Sequence, residues 1–291
     1  EYLQKRACSR HGCARIHDLV REFAEHLTAR RLKGNFHLTG DFARALRRHA
    51  RRDVIRALAR HEIGYHCNHH GGRPFMAGYC EQGTWRDGVS TWLFEETPGI
   101  RILESLFDRA PAYYTSEFQK APQVVYGSWL AGIPTTGILL GQGPGGQSAP
   151  LPDGGQGAAW YGNSFVPTSR YLFSPDLSLK EFARKVRREL VRLAAEMDRA
   201  PGAVLRSFTH EYPLVRDTTR PMAGSSYADT HYEDIAFACL PEGDIANHIR
   251  QWKRLMALLA ERAGTRFFGY TDYRNMLYHP GHGQRLTLAS L

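Results

Sequence analysis

No stretch of this chain approaches 18 consecutive apolar residues, so it offers no candidate for a membrane-spanning helix. Cysteine is scarce and scattered: Cys8, Cys13, Cys67, Cys80 and Cys239 are odd in number and lay out no disulfide framework. Cys8 and Cys13, with His11 and His17 nearby, lack the second closely spaced cysteine pair that would complete a zinc tetrahedron. No internal repeat recurs and no linker-like stretch divides the chain, which makes one domain over residues 1–291 the simplest organisation. Acidic residues are outnumbered, and the net charge is +9. Much of the excess lies at 44–60 and 180–192, where arginines alternate with Leu, Val, Ile and Ala at helical spacing. That pattern describes solvated helix faces, and basic–aromatic interleaving of the RNA-binding kind is missing, so nucleic acid is not an expected partner. The sequence opens on Glu1 rather than Met, so nothing follows about compartment.

What the chain does have is a folded composition, 42% hydrophobic and 23% charged, and an alternation of helical and extended patterns. Residues 14–31 predict an amphipathic helix with Ile16, Leu19, Val20, Phe23 and Leu27 on one stripe. A strand is expected within 33–40, then a helix over 42–49 capped by Asp41, a second short helix over 53–60, and a strand at 62–65. This β-α-β order favours a parallel sheet, and parallel sheets gather their sites at the C-terminal ends of strands. Beyond it, 75–108 reads as mostly helical, punctuated at Thr97-Pro98-Gly99. Strands are expected at 112–118, 133–140, 203–209 and 266–271, and helices at 121–131, 178–199, 244–263 and 272–278. The stretch Gly141-Gln142-Gly143-Pro144-Gly145-Gly146 matches GxGxxG, but Pro144 lies inside it and no helix follows to meet a phosphate. Residues 141–159 are therefore read as a long loop.

At the end of the 62–65 strand stands His61-Glu62-Ile63-Gly64-Tyr65-His66-Cys67-Asn68-His69-His70, which holds four of the 14 histidines. His66 and His70 are four apart, a spacing that lets two imidazoles converge on one point, as divalent metals require. A further ligand must come from elsewhere. Glu62 is read as a loop anchor or a solvated group, and His37, His61 and His69 as supporting or surface groups.

Residues 32–40, Leu-Lys-Gly-Asn-Phe-His-Leu-Thr-Gly, followed by Arg60–His70, resemble the polysaccharide deacetylases, the NodB-homology members of carbohydrate esterase family 4. That family has a strand of the type gv-k-A-T-F-F-v-t-G and then G-H-E-I-G-x-H-[ST]-x-x-H, in this order and at this spacing. The resemblance covers about 40 residues closely, with Cys67 in place of the usual Ser or Thr. It implies a distorted (β/α)7 barrel and one divalent metal, usually zinc, held by His66, His70 and an acidic residue. The family takes that acid from an Asp-Asp motif on its first strand. No Asp-Asp occurs in residues 1–31, and Glu1, in Glu1-Tyr2, is the remnant that could serve as ligand and base. A histidine late in the chain would be the general acid, and His210 fits that place. The Arg-x-Pro motif of the middle strand is replaced by Tyr113-Tyr114-Thr115-Ser116-Glu117. Arg73, Ser116 and Trp160 are the substrate-binding candidates, Trp160 for stacking on a sugar, while Trp85, Trp92, Trp129 and Trp252 are read as core. The implied function is removal of acetyl groups from a polysaccharide or related carbohydrate. The alternative is an inactive barrel that serves as a carbohydrate-binding or structural module.

Overall fold

The computed structural model describes residues 14–69, 83–114, 122–133, 214–217 and 236–261, strands at 8–9, 158–161, 164–167, 171–173 and 205–207, and single positions at 188, 191, 195, 211 and 271. In chain order these form β1 (Cys8–Ser9), α1 (Ala14–Ala29), β2 (Asn35–Leu38), α2 (Gly40–Arg48), α3 (Arg52–Leu58), β3 (Glu62–Tyr65) and α4 (Trp85–Phe107). There follow β4 (Tyr113–Tyr114), α5 (Pro122–Leu130), β5 (Ala158–Tyr161), β6 (Ser164–Pro167), β7 (Tyr171–Phe173), β8 (Leu205–Ser207), β9 (Ala236–Phe237) and α6 (Glu242–Glu261). The architecture is mixed α/β around a parallel sheet of order β2-β3-β4. Strands β7 and β8 also pair in parallel, whereas β5–β6 and β1–β9 are antiparallel.

The helical stripe of α1 is buried along its length: Ile16, Leu19, Val20, Phe23 and Leu27 all lie in the core. Phe23 stacks on Trp252 of α6 with ring centroids 3.9 Å apart, so α1 and α6 share one apolar seam. The arginines between α1 and α3 are not all solvated. The Arg51 guanidinium lies 2.7 Å from Asp18 of α1 and 2.9 Å from Asp53 of α3, tying the two helices together.

In the parallel sheet, Asn35 pairs with Glu62, His37 with Gly64, and Gly64 with Tyr113. Side chains alternate across each strand. Phe36 and Leu38 of β2, with Ile63 and Tyr65 of β3, therefore share one face and pack into the helical core. Asn35, His37, Glu62, Gly64 and Tyr113 share the other. Strand β3 is central and all four of its residues are buried.

Several boundaries differ from expectation for physical reasons. Asp41 does not cap α2; the Thr39 hydroxyl does, accepting from the Phe42 amide at 3.0 Å, and Asp41 falls in the first turn. Helix α4 runs straight through Thr97-Pro98-Gly99. Pro98 removes one intrahelical donor, and contacts from outside the helix meet the nearby carbonyls, as described below. Residues 158 and 159, expected in a loop, belong to β5. Thr271 is helical rather than the end of a strand. The expected elements at 134–140, 178–187, 266–270 and 272–278 lie outside the described residues.

Two glycines separate close packing from open space. A Cβ on Gly64 would come within 2.1 Å of the ring of Tyr113, which is fully buried and has nowhere to go. A Cβ on Gly243 in α6 meets nothing within 4 Å. Gly64→Ala should therefore cost about 1–3 kcal/mol through overpacking. Gly243→Ala should gain roughly 0.4–1 kcal/mol by restricting the unfolded chain. Urea denaturation of the two variants should move in opposite directions.

Candidate functional site

The histidine segment begins in the core and ends at the rim. His61 is buried, with Nε2 lying 2.8 Å from the Ala24 carbonyl and 3.0 Å from the Thr28 hydroxyl, while Nδ1 accepts from the Gly34 amide at 3.3 Å. Burial holds its pKa below the usual histidine value. His61 is thus a buried imidazole bridging α1 to the start of β2, and not a surface group. His37 packs its ring edge-on against Tyr113, with centroids 4.7 Å apart. Glu62 accepts from the Thr271 amide at 3.1 Å, so it anchors a C-terminal segment to the sheet.

Past β3 the parallel ladder continues. The His66 amide donates to Leu38 O at 2.9 Å, Gly40 N donates to Cys67 O at 2.9 Å, and Asp41 N donates to Asn68 O at 3.1 Å. By alternation His66 follows Glu62 and Gly64 onto the face opposite Tyr65. His66 is partly exposed, whereas Cys67 and Asn68 are buried. The thiol-bearing side chain at 67 joins the apolar core, a place that suits Cys as a small apolar residue.

Asn68 is the centre of the turn. Its amide N–H donates to the Glu96 carboxylate at 2.7 Å, and its side-chain Nδ2 donates to Glu95 O at 2.7 Å. Its Oδ1 accepts from Arg44 at 2.8 Å, and its backbone oxygen accepts from Arg44 at 3.0 Å. Tyr65 supports the same point, its hydroxyl lying 3.0 Å from Glu96 O and bonded to the Glu96 carboxylate. The carbonyls of Glu95 and Glu96 lie in the turn just before Pro98. Asn68 and Tyr65 thus bond to the carbonyls one and two residues past Phe94, whose oxygen is the one that loses its helical donor to Pro98. Space for this comes from two glycines. A Cβ on Gly40 would meet Asn68 Oδ1 at 2.4 Å, and one on Gly99 would meet the Tyr65 hydroxyl at 2.6 Å and Asn68 Oδ1 at 2.8 Å.

On the α2 side, the buried Asp41 carboxylate binds Arg44 and lies 2.9 Å from His69 Nδ1. His69 keeps about a third of its side chain exposed. An acidic group that sequence reasoning treated as a cap is thus a carboxylate at the strand ends that orients an imidazole. Arg44, read as a solvated arginine, is the cation that joins Asp41 to Asn68. Desolvation pushes Glu96 up to about 7, opposed by its bonds to Tyr65 and the Asn68 amide.

Of the residues expected at the site, His66 alone is described with its side chain. His70, Arg73, Ser116, His210 and Glu1 lie outside the described residues, and Trp160 is described only as part of β5. Among the described residues, no group of three or more His, Cys, Asp or Glu side chains gathers as a metal site would. Also among them, no helix is long and apolar enough to cross a membrane. The residues that hold the turn, Arg44, Asn68, Glu96 and Gly99, carried no motif of their own. The only local signal was a Pro-Gly pair inside a helical pattern.

No family model matches the sequence, and neither does any curated protein. Solved structures do. A protein of Mycobacterium smegmatis, assigned as a polysaccharide deacetylase, superposes with a TM-score of 0.51 over 89% of this chain and 76% of its own, at 15% identity. Two mutant structures of a carbohydrate esterase family 4 pseudoenzyme, one with restored enzymatic activity, match at 14% and 16% identity with a TM-score of 0.32. The chain spans about two fifths of the length of those pseudoenzyme chains. What is shared with the mycobacterial protein is the fold, a deacetylase-like α/β arrangement.

The raised Glu96 pKa makes stability depend on pH. Unfolded, the group titrates at its ordinary 4.5; folded, at about 7. The folded state binds more protons between these values, so stability falls as pH rises through this window, by roughly 3 kcal/mol in all. The lowered pKa of His61 acts with opposite sign. Glu96→Gln should therefore gain stability over the native chain progressively from pH 4.5 to 7 and hold a constant difference above it. His61 cancels in that difference, which urea titrations across the range would measure.

Proposed function

We propose that this chain is a metal-dependent carbohydrate deacetylase, built as one domain with its strands closed into a distorted (β/α)7 barrel. The observation that carries the reading is the Asn68 latch. Two helices and the half-buried Arg44 fix the turn that follows His66 at the C-terminal ends of two parallel strands. A turn with no task beyond connection would not need its amide, side chain and carbonyl all pinned. The fold likeness over most of the chain supports the same reading.

In this proposal His66 and His70 hold the metal, probed as zinc, with Glu1 as the acidic ligand. When bound, such an ion lowers the pKa of a water and polarises an acetyl carbonyl. The chain's own residues do the rest. Glu1 takes a proton from the attacking water, and His210, three residues past β8, returns one to the departing nitrogen or oxygen. Asp41 holds His69 in orientation beside this site, and Arg73, Ser116 and Trp160 contact the sugar. The substrate is a polysaccharide or related acetylated carbohydrate.

A second reading has its own support. The carboxylate described at the strand ends, Asp41, is already engaged by Arg44 and His69, and among the described residues no three His, Cys, Asp or Glu side chains gather as a metal site would. The same fold would then serve as a carbohydrate-binding module without turnover. Metal analysis and acetate release from N-acetylglucosamine oligomers separate the two. The enzyme reading expects stoichiometric zinc and acetate release. In His66→Ala, zinc affinity should fall by more than about a hundred-fold, beyond the loss typical of groups that only orient a ligand. Oligomer binding with neither metal nor acetate release would establish the module instead.

A further inference from the structure

The direction of α4 determines what lies around the strand ends. Arg109, just past its C-terminus, donates to Ala59 O at 3.1 Å and to His61 O at 2.7 Å, the residues that lead into β3. Glu96, midway along the helix, meets Asn68 just past the far end of β3. Helix α4 is therefore antiparallel to β3, and its first three turns project beyond the strand ends on the side of the histidine turn. Trp85, Trp92 and Glu96 fall on one stripe of the helix. Trp92 is buried and packs on α5, where a Cβ on Gly127 would meet its ring at 2.6 Å. Trp85, at the projecting tip, is 50% exposed. A capping box fixes that tip: the Thr84 hydroxyl accepts from the Asp87 amide, and the Asp87 carboxylate accepts from the Thr84 amide, both at 3.2 Å.

Beside Trp85 stand two rings of α5. Tyr126 lies 5.9 Å from Trp85 and 5.6 Å from Trp129, centroid to centroid, and Trp129 is 40% exposed. Both tryptophans were expected in the core, and neither is there. The three rings make a run of aromatic contacts from the projecting tip of α4 onto α5. Trp85 lies roughly 16 Å along the axis from Glu96. Aromatic rings with polar edges, rather than aliphatic side chains, suit a ligand that offers both C–H faces and hydroxyls.

We propose that Trp85, Tyr126 and Trp129 form a stacking surface for an extended glycan chain whose reacting or recognised unit sits at the histidine turn. This rests on the carbohydrate reading above and adds to it: the ligand is an oligomer, and single sugars reach only one end of the site. Trp85 and Trp129 determine chain-length preference and take no part in the turn itself.

Calorimetric titration of the full chain with N-acetylglucosamine oligomers, from dimer to hexamer, tests this. Affinity should rise with length. Trp85→Ala and Trp129→Ala should each weaken hexamer binding about ten-fold, the loss expected for truncating an aromatic anchor. Dimer binding should be unchanged in both, and Trp85→Phe should restore most of the hexamer affinity. Phe94, 78% exposed on the opposite side of α4, supplies the control: Phe94→Ala should bind like the native chain. Equal hexamer affinity in native and tryptophan variants would overturn the stacking surface and leave the carbohydrate reading standing. Variants that change the sedimentation coefficient while hexamer affinity holds would make the surface a contact between copies, also overturning it. A native chain that binds no oligomer of any length would remove the carbohydrate reading itself.

Discussion

Asn68 is held by every polar group it owns, and much of the molecule is arranged to make that possible. Its amide and side-chain nitrogen reach α4, and its two oxygens reach Arg44 of α2. Buried polar groups are costly when unpaired and specific when fully paired. A residue this completely satisfied can occupy one position only, and it lies two residues after His66. The parallel ladder brings the chain to this point, and the helices on either side hold it there.

The glycines and the proline are best understood through that residue. Gly40 and Gly99 let two helices approach Asn68 at distances that any Cβ would obstruct. Pro98 costs α4 an internal bond but sits where Asn68 and Tyr65 bring hydrogen bonds from outside the helix. Glu96 adds a buried carboxyl whose high pKa reflects the same crowding. The site is therefore stiff at the expense of one poorly solvated acid, and the pH response of stability follows from this trade.

Local patterns made much of the framework legible. The apolar stripe of α1 and the strand Glu62–Tyr65 emerged with nearly the observed bounds, because period and flanking residues suffice for elements that bury one face or both. The likeness to deacetylases was carried by the strand and histidine motifs, and the superposition supports it at the level of fold. The partners of the motif were not legible. Arg44 and Glu96 look like surface residues of amphipathic helices, and what makes them otherwise is a contact made 24 or 28 residues away in sequence. Asp41 was mistaken for a cap because Thr39, two residues earlier, satisfies the helix start equally well. Trp85 and Trp129 were assigned to the core on residue type alone, which ignores that a helix can outrun the sheet it covers.

The near-contact of Gly40 and Gly99 across Asn68 also bears on motion. A Cβ on Gly40 would lie 2.9 Å from the Cα of Gly99, so α2 and α4 meet backbone to backbone here. The turn between them has no room to swing aside while both helices stay docked. The Asn68 amide, bonded to the buried Glu96 carboxylate of α4, can reach solvent only when that contact opens, which ties its exchange to the opening of the core rather than to local fraying. A loop on the molecule's rim thereby shares the kinetic fate of its interior.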